Sequence, residues 1–171
     1  TLHIRAGLAA RSRDLQRPLV GVHIGAASDR ERWPAERYAS LMRRRYEHDG
    51  SSFVLLWRPA GSPDDAPVGE DLTAREVHTR LVGVPCLRWP VATQPALLAA
   101  LAECDSVIAP LGDAAHLAAS AGRPVAALAG GIEVPHELAR APSGRLADVT
   151  VDQAFAACEV LAARVALLAA G

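Results

Sequence analysis

Two short stretches hold residue types suited to binding an anion through the backbone. One is Gly25, Ala26, Ala27 and Ser28. The other runs from Pro110 through Leu111, Gly112, Asp113, Ala114 and Ala115 to His116. Each follows an apolar run and precedes a helix-like segment. Small residues let a ligand approach the main chain closely. Free N–H groups at a helix start, together with the helix dipole, favour a group such as a diphosphate. His116 reads two ways, as a ligand-facing side chain or as a core histidine bonded to backbone. Asp113 reads as an N-cap, which would occupy some of the N–H groups an anion needs.

Other chemistries are excluded by what is absent. All 18 basic residues are arginine and none is lysine, so a Schiff-base lysine, a P-loop lysine and a lysine general base are ruled out. No GxGxxG follows the first apolar run, which argues against an ordinary NAD or FAD domain. No GxSxG elbow is present. HExxH and CxxC spacings are missing too, so no protein-built zinc site is expected. Cys86, Cys104 and Cys158 are widely spaced and read as separate reduced core residues. With a net charge of −1, the chain lacks the basic excess of a nucleic-acid binder. No apolar stretch reaches membrane-spanning length. The chain opens on Thr1 without a signal-peptide pattern. We expect a piece of a cytoplasmic protein, with the inner membrane face as a peripheral location.

The elements that must hold these stretches follow from hydrophobic periodicity. The 171 residues give room for one domain, and 35 alanines predict a close-packed aliphatic core. Runs 19–24, 52–57, 85–89, 106–109, 124–128 and 147–149 read as strands. Between them lie helical patterns. Pro34 suits a first helical turn, Tyr38, Leu41, Met42 and Tyr46 make an apolar stripe, and Gly50 is the stop. Arg43, Arg44 and Arg45 read as a solvated helix end. Thr73 with Glu76 reads as a capping box opening a helix over 73–81. Thr93 caps the next, through Leu97, Leu98 and Leu101. A short helix over 113–121 ends at Gly122. Thr150 or Asp152 caps the last, with Phe155, Cys158, Leu161, Val165 and Leu168 facing the core. Segment 58–71 reads as a long loop, with Arg58 facing either the pocket or, as the favoured reading, solvent, and Glu70 and Asp71 as surface charges. Trp33 and Trp89 read as packing residues. The expected fold is therefore α/β, a doubly wound and mainly parallel sheet of five or six strands. A lead-in covers 1–18 and the domain covers 19–171.

The wording around the two stretches is more specific. VGVHIGAASDRERWPAERYASL resembles a strand ending in His-Pro-Gly-Ala followed by a Lys-x-Trp-Pro-x-Glu helix start. CDSVIAPLGDAAHLAASAGRPVAALAG resembles an Asp-Thr/Ser-Gly-x-x-His-Leu-Ala-Ala-x-x-Gly-x-Pro segment. VTVDQAFAACEVLAA resembles a closing helix that follows them. Together these resemble glycosyltransferase family 9, the heptosyltransferases of lipopolysaccharide assembly, over residues 19–163. The resemblance implies the C-terminal, nucleotide-sugar-binding half of a GT-B fold, Rossmann-like in architecture. It implies inverting transfer from a nucleotide diphosphate sugar without a metal or other cofactor. The donor-binding residues it points to are Gly25, Ser28, Arg32, Gly112, Asp113 and His116. No catalytic residue is expected within this chain, because the acidic base is expected in an absent N-terminal domain. That domain would be a partner, and a saccharide, a lipid-linked sugar or a protein the acceptor. The chain departs from the signatures at Glu31, which takes the lysine position, and at Leu111, Gly112 and Asp113. Those departures motivate a second reading, a non-catalytic relative with a vestigial pocket serving assembly or protein interaction. A third is a Rossmann-like domain for another nucleotide.

Overall fold

Short apolar runs alternating with amphipathic stretches leave one economical arrangement, a parallel sheet covered on both faces. The computed structural model has this form. It describes residues 10, 15, 18–26, 32–62, 70–128, 138–141 and 146–170. The expected lead-in over 1–18 lies almost wholly outside the described residues, as do Ser28 and Glu31.

The elements are β1 (Leu19–His23), α1 (Ala35–Asp49), β2 (Ser52–Trp57), α2 (Glu70–Arg80), β3 (Cys86–Pro90) and α3 (Gln94–Leu101). They continue with β4 (Ser106–Pro110), α4 (Asp113–Ser120), β5 (Val125–Leu128), β6 (Leu138–Ala141) and α5 (Val151–Ala170). The six strands lie in the order β3-β2-β1-β4-β5-β6, and every pairing is parallel. The chain first winds outward from β1 to β3, then returns to β4 on the other side of β1. The order therefore reverses between β1 and β4, where a doubly wound sheet opens a crevice beyond its strand ends.

The core divides by sheet face. α1, α2 and α5 cover one face through Trp33, Tyr38, Leu41, Met42, Val77, Cys158 and Leu161. α3 and α4 cover the other through Leu97, Leu101, Cys104, Ala114, Ala115 and Ala118. The three buried alanines of α4, Ala114, Ala115 and Ala118, let that short helix lie close on β4 and β5. Cys104 and Cys158 are buried and Cys86 half-buried, all three as free thiols. Burial pushes the thiols of Cys86 and Cys158 up to about 12, so both stay protonated and unreactive.

Local signals placed most helix ends. Gly50 adopts a left-handed conformation (φ 72°) and donates its N–H to the Tyr46 carbonyl, closing α1. Thr93 Oγ1 accepts the Ala96 N–H at the start of α3. At α5 the cap is Thr150, in a reciprocal pair. Thr150 Oγ1 accepts from the Gln153 N–H, and Gln153 Oε1 accepts from the Thr150 N–H.

Four expectations are corrected. Residues 147–149 do not form a strand; a 3₁₀ turn covers Leu146–Asp148, and β6 is the sixth strand instead. The reason lies in α1. Trp33 Nε1 and Arg37 Nη1 both donate to the Val149 carbonyl, at 2.8 and 2.9 Å, and Arg37 Nη1 also reaches the Ala147 carbonyl. Those carbonyls are lost to a ladder. Second, Thr73 caps nothing, because α2 begins at Glu70 and Thr73 lies buried one turn in. Third, the arginine triplet is not a solvated end. Arg45 is buried between Asp49 and Glu159, Arg44 lies over the Phe155 ring and pairs with Asp152, and Arg43 donates to the carbonyls of Arg80 and Val82. Arg44 and Arg45 meet α5 through Asp152, Phe155 and Glu159, while Arg43 meets the end of α2. Fourth, Val165 is 40% exposed and drops out of the core-facing stripe of α5, while the Leu168 side chain lies outside the described ones. A helix of 20 residues is about 30 Å long, longer than the strands beneath it.

Candidate functional site

β1 and β4 are hydrogen-bonded neighbours, with Gly21 opposite Val107 and Val22 opposite Ile108. Both run in the same direction, so the two small-residue stretches leave the sheet side by side, at one end, where the strand order reverses. Their local geometries differ.

At the first junction the chain closes on itself. Ile24 donates its N–H to the Leu56 carbonyl at 3.1 Å, and Gly25 donates to His23 Nδ1 at 3.2 Å. With Nδ1 accepting, the neutral ring carries its proton on Nε2. Burial, reinforced by the Arg58 charge, lowers the His23 pKa from 6.5 to about 4, so the imidazole is neutral at physiological pH. A Cβ at position 25 would stand 2.4 Å from His23 Cε1 and 3.3 Å from Glu70 Oε1. Glycine is required here by the protein's own side chains. The Gly25 N–H is thus engaged within the chain itself.

Glu70 is the second unexpected member. It was expected at the surface but is 4% exposed. Its Oε2 accepts the Arg58 N–H at 2.7 Å. Burial raises its pKa, opposed by that hydrogen bond and by the charges of Arg32 and Arg58, while Asp71 adds to the rise. Arg32 turns along α2, where its Nη1 donates to Thr73 Oγ1 at 3.2 Å, one turn beyond Glu70. Tyr38 stacks edge-on against Trp33 with ring centroids 4.7 Å apart. Its hydroxyl has no hydrogen-bond partner among the described residues, and its pKa is raised by burial and then by Glu70. Trp33 is fully buried, as a packing residue should be. A cavity of about 300 Å³ opens where α1 begins beside α2, lined by Arg32, Pro34, Glu36, Thr73, Glu76 and Arg80.

The second junction is open. Leu111 donates its N–H to the Leu128 carbonyl at 2.9 Å, extending the β4–β5 pairing by one step. Gly112 occupies the N-cap position of α4, with no side-chain cap on the helix. Asp113 is the first helical residue, and its expected capping role is corrected on that ground. Its carboxylate takes none of the first-turn N–H groups. A Cβ at Gly112 would meet nothing within 4 Å. The backbone there is extended (φ 166°), a conformation open to any residue. Neither crowding nor strain calls for glycine, and the space beside it is clear. His116 is exposed, with its N–H donated to the Gly112 carbonyl at 3.1 Å. The core-histidine reading is thereby excluded.

The structure thus brings Gly25, Gly112, Asp113 and His116 to one end of the sheet. Arg32 joins them from the α2 side, and Ser28 lies outside the described residues. The sequence did carry signals for the residues it misplaced. Glu70, Thr73, Ala74, Val77 and Leu81 share one helical face, which puts Glu70 on the buried side. His23 ends a strand two residues before an engaged glycine. Among the described residues no group of three His, Cys, Asp or Glu could hold a metal ion, and no helix is long and apolar enough to cross a membrane.

Comparison with known proteins supplies the context. The family model for glycosyltransferase family 9 (heptosyltransferase) matches residues 2–134. A comparison with curated protein sequences gives no match. Among solved structures, a family 9 glycosyl transferase from Veillonella parvula DSM 2008 superposes with a TM-score of 0.74 at 20% identity. The match covers 93% of this chain and 51% of the other. The E. coli ADP-heptose lps heptosyltransferase II gives 0.67 at 19% identity, covering 94% and 51%. The E. coli heptosyltransferase WaaC with ADP gives 0.68 at 18%, covering 88% and 46%. The chain spans about half the length of these solved relatives.

Proposed function

The chain belongs to glycosyltransferase family 9, and on that footing we propose that it is the domain that binds the nucleotide diphosphate sugar donor of an inverting glycosyltransferase. The observation that carries this reading is the adjacency of β1 and β4 at the reversal of strand order. It brings side by side the strand ends from which the chain runs on to the open start of α4 and toward Arg32. The uncapped first turn of α4 offers N–H groups to the diphosphate, with Gly112 leaving room and His116 within the same turn. Arg32 contributes charge from the other side. Positive groups fixed around a leaving diphosphate stabilise the charge that grows there during sugar transfer, and they do so without a metal. The acidic base and the acceptor site, for a saccharide, a lipid-linked sugar or a protein, belong to the half of the family's length that lies beyond this chain. A cytoplasmic location at the inner membrane face goes with a nucleotide sugar as donor.

One observation favours the runner-up. The Gly25 N–H is already held by His23, as expected of a pocket that has lost its ligand and serves assembly instead. Calorimetry decides between the two. Solved relatives hold ADP or are named for ADP-heptose, so ADP-sugars are the first donors to test, followed by UDP-sugars. Saturable binding to the full-length protein supports the donor domain. Absence of binding by every nucleotide sugar tested leaves the vestigial reading.

A further inference from the structure

Arg58 is the first residue after β2, and the sequence favoured solvent over the pocket for its side chain. It is half-buried instead, and its surroundings are ordered in detail. β2 pairs with β1 so that His23 faces Leu56, which sets Arg58 across from Gly25 one step beyond the sheet. The carboxylate of Glu70 bridges the two strand ends, with Oε2 on the Arg58 N–H at 2.7 Å and Oε1 toward Gly25. Asp71, the next residue of α2, accepts from Trp57 Nε1 at 2.8 Å and from the Ala60 N–H at 2.7 Å. Ser62 closes the turn by donating Oγ–H to the Pro59 carbonyl at 2.6 Å. Two carboxylates thus fix the backbone at Arg58 and at Ala60 beyond it, and the Trp57 indole before it. The guanidinium is close enough to depress the His23 pKa and to oppose the rise at Glu70. Since the chain contains no lysine, any side-chain cation that meets a phosphate is an arginine or a protonated histidine.

We propose that Arg58 is an anion-contacting residue of the donor crevice, held there by Glu70 as a positioning residue. The proposal rests on the donor-binding reading above and deepens it. Arg32 and Arg58 flank Glu70 from α1 and from β2. The three groups together carry one net positive charge at the strand ends when Glu70 is ionised, and two when it is protonated. A nucleoside diphosphate gains from this more than a monophosphate does, because its second phosphate adds a charge and a pair of acceptor oxygens.

The test measures affinities of ADP, AMP, UDP and UMP for the full-length protein by calorimetry at fixed salt. The variants are R58Q, R58K and, as a control on the exposed face of α2, R75Q. The Arg58 N–H bond to Glu70 is main chain, so R58Q keeps it, and an unchanged thermal midpoint checks the fold. We expect R58Q to weaken the diphosphates by about tenfold or more, the scale of one hydrogen bond to a charged group. The monophosphates should weaken less, R58K should stay close to the wild type, and R75Q should change nothing. A wild type that binds no diphosphate overturns the donor reading and this proposal with it. A wild type that binds diphosphates while R58Q binds them equally well overturns this proposal alone. Equal losses in R58Q and R58K, or in R58Q and R75Q, also overturn it, since the charge at position 58 would then not be the cause.

Discussion

The ends of β1 and β4 lie side by side, yet they are built on opposite plans. At β1 the chain uses its polar groups on itself. Gly25 is wedged between His23 and Glu70, its N–H is engaged, and the next strand end is tied to α2 through Glu70 and Asp71. At β4 nothing approaches Gly112, and the helix beyond has no side-chain cap. Two glycines in matching positions thus answer to different demands, one from the protein's own packing and one from empty space. Similar composition in two strand-to-helix loops therefore does not imply similar use. On this account the β1 side supplies rigid charge, and the β4 side supplies free amides.

The comparison can be broken or sharpened by substitution. The largest effect is expected at Trp33, which anchors the closed side through its Tyr38 stack and its hydrogen bond to the Val149 carbonyl. Trp33→Ala should destabilise the fold by about 3–5 kcal/mol, measured by urea unfolding. Gly25→Ala comes next, at about 1–3 kcal/mol, because the new methyl displaces the His23 ring.

The third effect is one of pH. The folded pKa of His23 is depressed to about 4 from 6.5, so below pH 6.5 the unfolded chain takes up a proton that the folded one refuses. Stability supplied by the neutral ring is present above 6.5 and lost as pH falls toward 4, by up to about 3 kcal/mol. Relative to His23→Gln, the wild type should therefore lose stability over that window. Glu70 has a raised pKa and works in the opposite sense, so Glu70→Gln should steepen the acid loss. Equal slopes for all three proteins would contradict the closed-side picture. The smallest effect on stability is expected at Gly112→Ala, under about 1 kcal/mol. That variant should still bind a nucleoside diphosphate more weakly, because its methyl enters the open space. Equal destabilisation by the two glycine substitutions would erase the contrast.

The architecture was legible in the sequence because it rests on local signals. The run 52–57 matches β2 residue for residue, Gly50 and Thr93 act at the helix ends where their chemistry put them, and the family signatures fall on the two junctions. What escaped depends on contacts distant in sequence. Residues 147–149 have strand-like character, but Trp33 and Arg37, more than 100 positions earlier, hold their carbonyls. Arg45 reads as solvated until α5 brings Glu159 to it. Glu70 and Arg58 read as loop charges because periodicity places a face without showing which strand ends will meet it. Of the candidate site, the small-residue loops could be found by inspection. The exchange of polar partners around Gly25 could not, since it is settled only once β1, β2 and α2 converge.

The central claim is that the diphosphate of a nucleotide sugar sits on the free amides at the start of α4 and not on the engaged amide of Gly25. Backbone amide NMR of the full-length protein, titrated with ADP or UDP, tests it most directly. The account predicts saturable shifts that are largest at Gly112, Asp113, Ala114 and Ala115, with Gly25 little moved. Shifts centred on Gly25 with none at the start of α4, or no saturable shift with either nucleotide, would contradict it.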